Sequence, residues 1–555
     1  MKVFDTANLD ERLMKSLSAD EAACIYNGLD VCVTAEIFNE LSKQLADEPE
    51  NVRETYHTSL AKLAPIMEMS MRGMHVDEEA RQTSIKELSR DLAELDKKFQ
   101  HIMTEVFEME LNWNSPTQLK SFFYTILGLK EIKKRNAKGI FAPTVNAEAL
   151  EQLKKYLYAR PFCNFILLLR DLAKQISFLK SEVDPDQRLR TSYNIAGTNT
   201  GRLASSMNDF GSGTNVQNVN RKLRYPFDAD AGMYLLNIDL EQADGRNVGA
   251  ICWNAFHDME RKDIAKYLKL NEWIGPEGPT FAGSYLDACE SGDLHTFVCR
   301  MTWPELDWPE DPKKWKKYCD SVILFGQDSY RQGAKKLGHG TNYYGTPRTM
   351  AKHAHVPTVV IENFQTRYFG QFPCIPAWHN WTIEQIVETG TLTTPFGRRR
   401  MFFGRANDPS TWRKAIAYSP QSMTGEEIDR GLLSLWRKYP QIQLLNQVHD
   451  SVLLQLPFSE ATDLVPLVLD ALTVELTLKG DRKFSVPLEA AGGWNWGYVQ
   501  YWDKEDYENN RCAEDRIGKP KSNLHGLSKW TGQELRERPN PHRRLKDFLH
   551  CAPTG

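Results

Sequence analysis

Two apolar runs far apart in the chain each deliver an aspartate at a strand end, and no other feature constrains the fold as much. MYLLNIDL reads as a strand closing on Asp239. IQLLNQVHDSVLLQLP reads as two strands around His449-Asp450-Ser451, a hairpin with Asp450 at its tip. Acids are common at strand ends and turns, so either one alone says little. A strand end beside a hairpin tip is different. On a rigid sheet the pair could clamp two metal ions roughly 3.5–4 Å apart.

The rest of the chain frames these strands. At 555 residues it is too long for one core, and 41% hydrophobic with 26% charged residues is ordinary for a soluble globular protein. No apolar run approaches the roughly 18–20 residues that span a bilayer, which leaves no membrane partner. The start, MKVFDTANLDERLMKSL, lacks the apolar core of a signal peptide, so a cytoplasmic protein is expected. Ten cysteines without a CxxC pair point to reduced thiols rather than a zinc ribbon. The first 180 or so residues show helical periodicity, with Asn114-Ser115-Pro116 opening one helix. TSYNIAGTNTGRLASSMNDFGSGTNVQN reads as loops and short strands, and residues 254–390 as mostly helical.

Charge is informative by its distribution, since the net value is only -4. Residues 331–355 and 391–407 carry Lys and Arg but no acid. In RQGAKKLGHG the four-residue spacing puts Arg331, Lys335 and His339 on one helix face, a stripe suited to a polyphosphate. An exposed basic face is the plain alternative, but Gly338 and Gly340 weaken a purely structural helix by roughly 1 kcal/mol each.

Taken in order, TGRLASS, NIDLEQADGR, DLHT, RQGAKKLGHGTNYYG, TPFGRR, SPQSMTG and QVHDS resemble the successive motifs of family A DNA polymerases, with a weaker likeness upstream in SMRGMHVD and NWNSPTQL. HGTNYYGTPRTMA suggests a phage-type member. The resemblance implies an α+β right-hand fold with a helical thumb, an antiparallel palm and helical fingers. It implies these segments: 1–50, a remnant of a 3′–5′ exonuclease domain; 51–188, thumb; 189–253, first part of the palm; 254–408, fingers; 409–505, second part of the palm; and 506–555, a basic flexible tail. The implied activity is primer-dependent DNA synthesis from dNTPs on primer-template DNA, in the cytoplasm of a phage-infected bacterium.

Residue by residue, the resemblance makes Asp239, Asp450 and the Leu240 carbonyl ligands of two Mg²⁺ ions, with Mn²⁺ as a possible substitute. Lys335 would act with Asp239 and Asp450 in catalysis. Arg331, Lys335, His339, Tyr343, His295, Asp244 and Gln242 would bind the dNTP. Arg202, Arg246, Arg413, Gln421 and His449 would contact DNA. The chain departs from the family pattern at several of these. Asp244 stands where Glu is usual, which puts sugar selection in question. His339 replaces an aromatic, and Ser451 replaces a Glu. The template-side tyrosine is Tyr343 by spacing from Arg331 and Tyr344 by the Tyr-Gly pair. The helix register favours Tyr343.

Tyr26 and Asp30 resemble the last metal-binding motif of the family's exonuclease, here vestigial, so this chain alone is not expected to proofread. A separate exonuclease chain or replisome proteins would be further partners. Two other readings compete. A single-subunit RNA polymerase shares the palm but not an acid at Asp244, and an inactive DNA-binding scaffold need not keep Asp239, Asp450, Arg331 and Lys335.

Overall fold

The computed structural model describes residues 17–135, 139–208, 211–324, 328–354, 356–498 and 525–530. In chain order the elements used below are helices α1 (Ala19–Ala46), α2 (Glu78–Phe107) and α3 (Arg160–Leu179), strand β1 (Met233–Leu240), and helices α4 (Leu294–Thr302) and α5 (Tyr330–Asn342). Strands β2 (Thr391–Thr393) and β3 (Arg399–Met401) follow, then helix α6 (Pro409–Lys438) and strands β4 (Gln443–Val448), β5 (Ser451–Pro457), β6 (Leu488–Gly493) and β7 (Ser528–Lys529). Helices predominate and an antiparallel sheet accompanies them, the mixed helix-and-sheet composition expected.

The chain divides into two units. One comprises Met1–Ala61, Asp244–Glu426 and Leu476–Phe484; the other comprises Lys62–Ala243, Glu427–Glu475 and Ser485–Gly555. The second unit contains a sheet in the order β4-β5-β1-β6-β7 with every pair antiparallel. Residues 234–238 of β1 are all buried, which is why its sequence is a continuous apolar run rather than an alternation. Leu235, Val448, Leu453, Ala491 and Trp496 form much of the core beside this sheet. A second core in the same unit joins α2 and α3 through Phe99, Met103, Phe122, Phe123, Ile166 and Leu169. Ser115 caps a short helix there, accepting from the Gln118 amide, with Pro116 at its first position.

One expectation needs correction. Residues 525–530 fall inside the stretch read as a flexible tail, yet they form the edge of this sheet. Ser528 pairs with Gly492 and Lys529 with Ala491, and Leu527 is only 1% exposed. The Trp530 amide donates to the Ala490 carbonyl at 2.8 Å and the Trp494 amide to His525 at 2.8 Å. The strand satisfies backbone groups that β6 would otherwise leave open. Close approach is possible because a Cβ at Gly493 would meet the Gly526 carbonyl, and one at Gly492 the Tyr234 ring. The basic composition on either side hides so short a strand. The rest of the expected tail lies outside the described residues, as do the first 16 residues of the expected exonuclease remnant.

In the first unit, α5 is capped by Ser329, whose hydroxyl accepts from the Gln332 amide at 3.2 Å. Strands β2 and β3 form a hairpin closed at Gly397, which takes φ +102°. Helix α1 starts with a capping box between Ser18 and Glu21, and none of its residues is buried. Among the described residues no helix is long and apolar enough to cross a membrane.

Candidate active site

In the second unit, the sheet register brings the two predicted acids together. Ser451 lies opposite Asp239, so Asp450 is one residue from the position facing it. The Leu240 amide donates to the Asp450 carbonyl at 3.0 Å, fixing the two backbones against each other. His449 and Asp450 form a two-residue turn between β4 and β5, with His449 at φ +56°, an uncommon conformation for a non-glycine residue. Gln447 braces that turn by donating to the His449 carbonyl at 2.8 Å, and the Ser451 hydroxyl donates to Val448 at 3.0 Å. The Asp450 side chain is left exposed at the tip.

Asp239 sits in a more demanding environment. Burial and then the charge of Asp450 push its pKa up to about 6, against hydrogen bonding by Ser451 and the charges of Arg221 and Arg224. Asn237, two residues earlier on the same face, donates to its carboxylate at 3.0 Å. A buried carboxylate whose ionisation is made costlier by a neighbouring acid is a donor that a divalent cation would relieve. No group of three or more His, Cys, Asp or Glu side chains among the described residues is arranged to hold a metal. An ion such as Mg²⁺, which keeps several waters and takes one or two carboxylates from a protein, is compatible with Asp239 and Asp450 as donors.

In the first unit, α5 presents the expected cationic face. Arg331 is not free there: it makes a two-pronged bond to Asp293, both arms at 2.9 Å, with Asp320 at 3.7 Å. Burial works against the Asp293 charge, but the Arg331 and Thr296 hydrogen bonds outweigh it and hold the acid at about 2. Lys335 is exposed one turn further on, and no ion pair engages it among the described residues. His339 is also exposed, its ring edge-on to Tyr343 with centroids 4.5 Å apart. Tyr344 instead leaves the helix at φ +62° and packs against His379. His295, on α4, is driven down to about 4 by burial and the positive charges of Lys335 and Arg331, so it is neutral near pH 7.

The remaining candidates are placed as follows. Asp244 accepts from the Thr424 hydroxyl at 3.1 Å, and Asn247 donates to the same hydroxyl, which ties the acid to α6. Gln421 and Arg413 are also on α6, half-buried and exposed respectively, and Arg246 is buried. In the second unit Gln242 follows β1 at φ +56°, and Arg202 lies half-buried in a loop whose carbonyl is held by Thr198 at 2.7 Å. Tyr26 and Asp30 are both exposed on α1.

Three features escaped the sequence reading. Asn237 is legible only through its two-residue offset from Asp239. Glu489 lies in register with Asp239 on the other side of β1 and pairs with Lys529 at 3.2 Å. Arg221 and Arg224 influence Asp239 electrostatically, and the run NRKLR was their only signal.

The model of DNA polymerase family A matches residues 79–254 and 324–498, more than half of the chain. The chain belongs to DNA polymerase family A. Among relatives, it is 25% identical over 425 residues to the thermostable DNA polymerase I of Thermus filiformis, a match covering 72% of this chain and 43% of that protein. It is 23% identical over 498 residues to DNA polymerase I of Treponema pallidum, covering 86% and 43%. The chain thus spans about half or less of the length of these family A relatives. The fold is similar to the POL domain of Pol1 from M. smegmatis in complex with DNA primer-template and dNTP, with a TM-score of 0.59, 20% identity, and coverage of 79% of this chain and 69% of that one.

Proposed function

We propose that the chain is a DNA-directed DNA polymerase that extends a primer on a DNA template from dNTPs. The observation that carries this reading is the register of β1 against the β4–β5 hairpin, which sets Asp239 beside Asp450. Membership of the family and the likeness to a POL domain support it. In this reading the second unit's sheet is the palm, α5 belongs to the fingers, and the helical region of α2 and α3 is the thumb.

Asp239, Asp450 and the Leu240 carbonyl are the groups that would hold two Mg²⁺ ions, with Mn²⁺ as a substitute. Bound there, the ions would acidify the primer 3′-hydroxyl and neutralise charge on the leaving pyrophosphate. Lys335 supplies an exposed ammonium for the triphosphate and a proton for pyrophosphate. Arg331 joins it by exchanging Asp293 for phosphate, with His295 staying neutral beside both. Tyr343 and His339 present rings toward the base and sugar, while Asp244 and Gln242 bear on the sugar. Arg202, Arg246, Arg413, Gln421 and His449 contact the DNA. Minor-groove acceptors are largely independent of sequence, so such contacts check pair shape without reading bases. Phage genome replication is the proposed setting, supported by the likeness of HGTNYYGTPRTMA.

Primer extension by the purified chain tests this. Asp450→Ala should remove extension and leave primer-template binding within about threefold; equal extension by that variant would sink the assignment. Running dNTPs against rNTPs separates the RNA-polymerase reading. A mismatched primer end in the same assay addresses proofreading: metal-dependent trimming lost in Asp30→Ala would overturn the expectation that this chain does not proofread.

A further inference from the structure

His379 is a buried titratable side chain that the proposed chemistry does not use, and it holds the residues on both sides of Tyr343. It lies in the helix Cys374–Thr389 and is 3% exposed. Burial drives its pKa down to about 4, although the Asn342 carbonyl favours the charged form, so the ring is neutral near pH 7. A neutral imidazole has one N–H to give. Its Nε2 lies 2.8 Å from the Asn342 carbonyl, which can only accept, so that nitrogen carries the proton and donates it. The same ring meets the Tyr344 ring edge-on, with centroids 5.1 Å apart. One side chain thus fastens the last residue of α5 and the second residue beyond it, with Tyr343 between them.

A histidine satisfied by one carbonyl is ordinary core packing. The backbone at Tyr344 is not ordinary, because φ +62° is a left-handed conformation that residues with a Cβ avoid. Such strain persists only where the surroundings impose it, and it gathers where a conformation matters to a site. Here the turn is closed from within by the Tyr344 amide on the Thr341 carbonyl at 3.1 Å and the Gly345 amide on the Gly340 carbonyl at 2.8 Å. It is also gripped from outside. Gln365, in the helix Thr358–Gln371, donates to the Gly345 carbonyl at 2.8 Å. The Asn342 side chain donates to the Tyr285 hydroxyl at 2.8 Å and accepts from the Tyr368 hydroxyl at 3.0 Å, and all three residues are buried. A Cβ at Gly345 would meet the Gly340 carbonyl, which leaves the chain no slack. The Tyr343 amide still donates to the His339 carbonyl at 3.1 Å, so the helical path reaches Tyr343 and breaks only at the strained residue. Relaxing Tyr344 would pull on Tyr343 and on its edge-on contact with His339.

We infer that His379 is a positioning residue for the incoming nucleotide: it holds Tyr344 in its strained conformation and so keeps Tyr343 and His339 presented at the end of α5. The inference rests on the polymerase reading and deepens it. The test is steady-state primer extension by the full chain, with KM for the correct dNTP and kcat per total protein both measured. When only part of a population has the competent turn, apparent affinity falls by that fraction, and saturating nucleotide restores the rate. His379→Phe keeps a ring against Tyr344 and removes the donor. It should raise KM about five- to tenfold and leave kcat within about twofold. His379→Gln keeps an N–H and should stay within about threefold of the wild-type KM. Glycine takes positive φ freely, so adding Tyr344→Gly to His379→Phe should return KM to within about twofold of wild type. An unchanged KM in His379→Phe would overturn the inference, because a fall in kcat alone is what loss of folded protein produces. So would any defect of His379→Phe, failure to fold included, that Tyr344→Gly does not lessen, since the histidine would then serve the core alone. A wild-type chain that extends no primer would instead overturn the polymerase reading, and this inference with it.

Discussion

Lys62 carries its ammonium into a place almost without water. The side chain is 2% exposed, its partner Asp429 is 5% exposed, and the same nitrogen donates to the Gly201 carbonyl at 3.3 Å, next to Arg202. Desolvating two charges is costly, and the pair recovers that cost only while both are present. Lys62→Met should therefore destabilise the fold by about 3–5 kcal/mol in urea denaturation, because the buried Asp429 carboxylate loses its ammonium partner. Lys62→Met with Asp429→Leu should recover most of that loss; a double variant as unstable as the single one would show that the pair is not the cause. The sequence reveals the acids at strand ends because a strand announces itself locally. It does not reveal Lys62, Asn237 or Glu489, whose importance comes from a partner brought close only by folding.

At the scale of elements, α4 and α5 are clasped by Asp293 and Arg331, and this clasp has a signature in acid. His295 has a pKa lowered to about 4, below the roughly 6.5 of an unfolded chain, so its contribution fades as pH falls from about 6.5 toward 4. Asp293 is held at about 2, below the roughly 3.9 of an unfolded chain, so its contribution is intact above about pH 4 and disappears toward pH 2. Denaturation midpoints measured against pH should show both declines. His295→Gln should flatten the upper one and Asp293→Asn the lower; unchanged slopes in either variant would refute the corresponding assignment. The stripe on α5 is legible from four-residue spacing alone. The clasp is not, because Asp293 and Arg331 are 38 residues apart and nothing local marks them as partners.

For the molecule as a whole, the sheet is only partly visible in the sequence. The runs that became β1, β4 and β5 could be recognised, since each is long and apolar. Strand β7 could not, because two residues in a basic stretch carry no periodicity. Its contribution is nonetheless structural: Leu527 sits in the same core as Leu235 and Leu453. Leu527→Ala should cost about 2–5 kcal/mol in denaturant unfolding, the range for a truncated core leucine, whereas a surface tail would show almost nothing. The strand order β4-β5-β1-β6-β7 also has a consequence for biosynthesis. The central strand leaves the ribosome first and the edge strand last. At about 5–20 residues per second, roughly 15–60 s separate them. During that interval the nascent chain carries first an apolar strand with no neighbours, then a sheet still lacking its last strand. Cellular yield should depend on how well that intermediate is shielded from its own copies on neighbouring ribosomes.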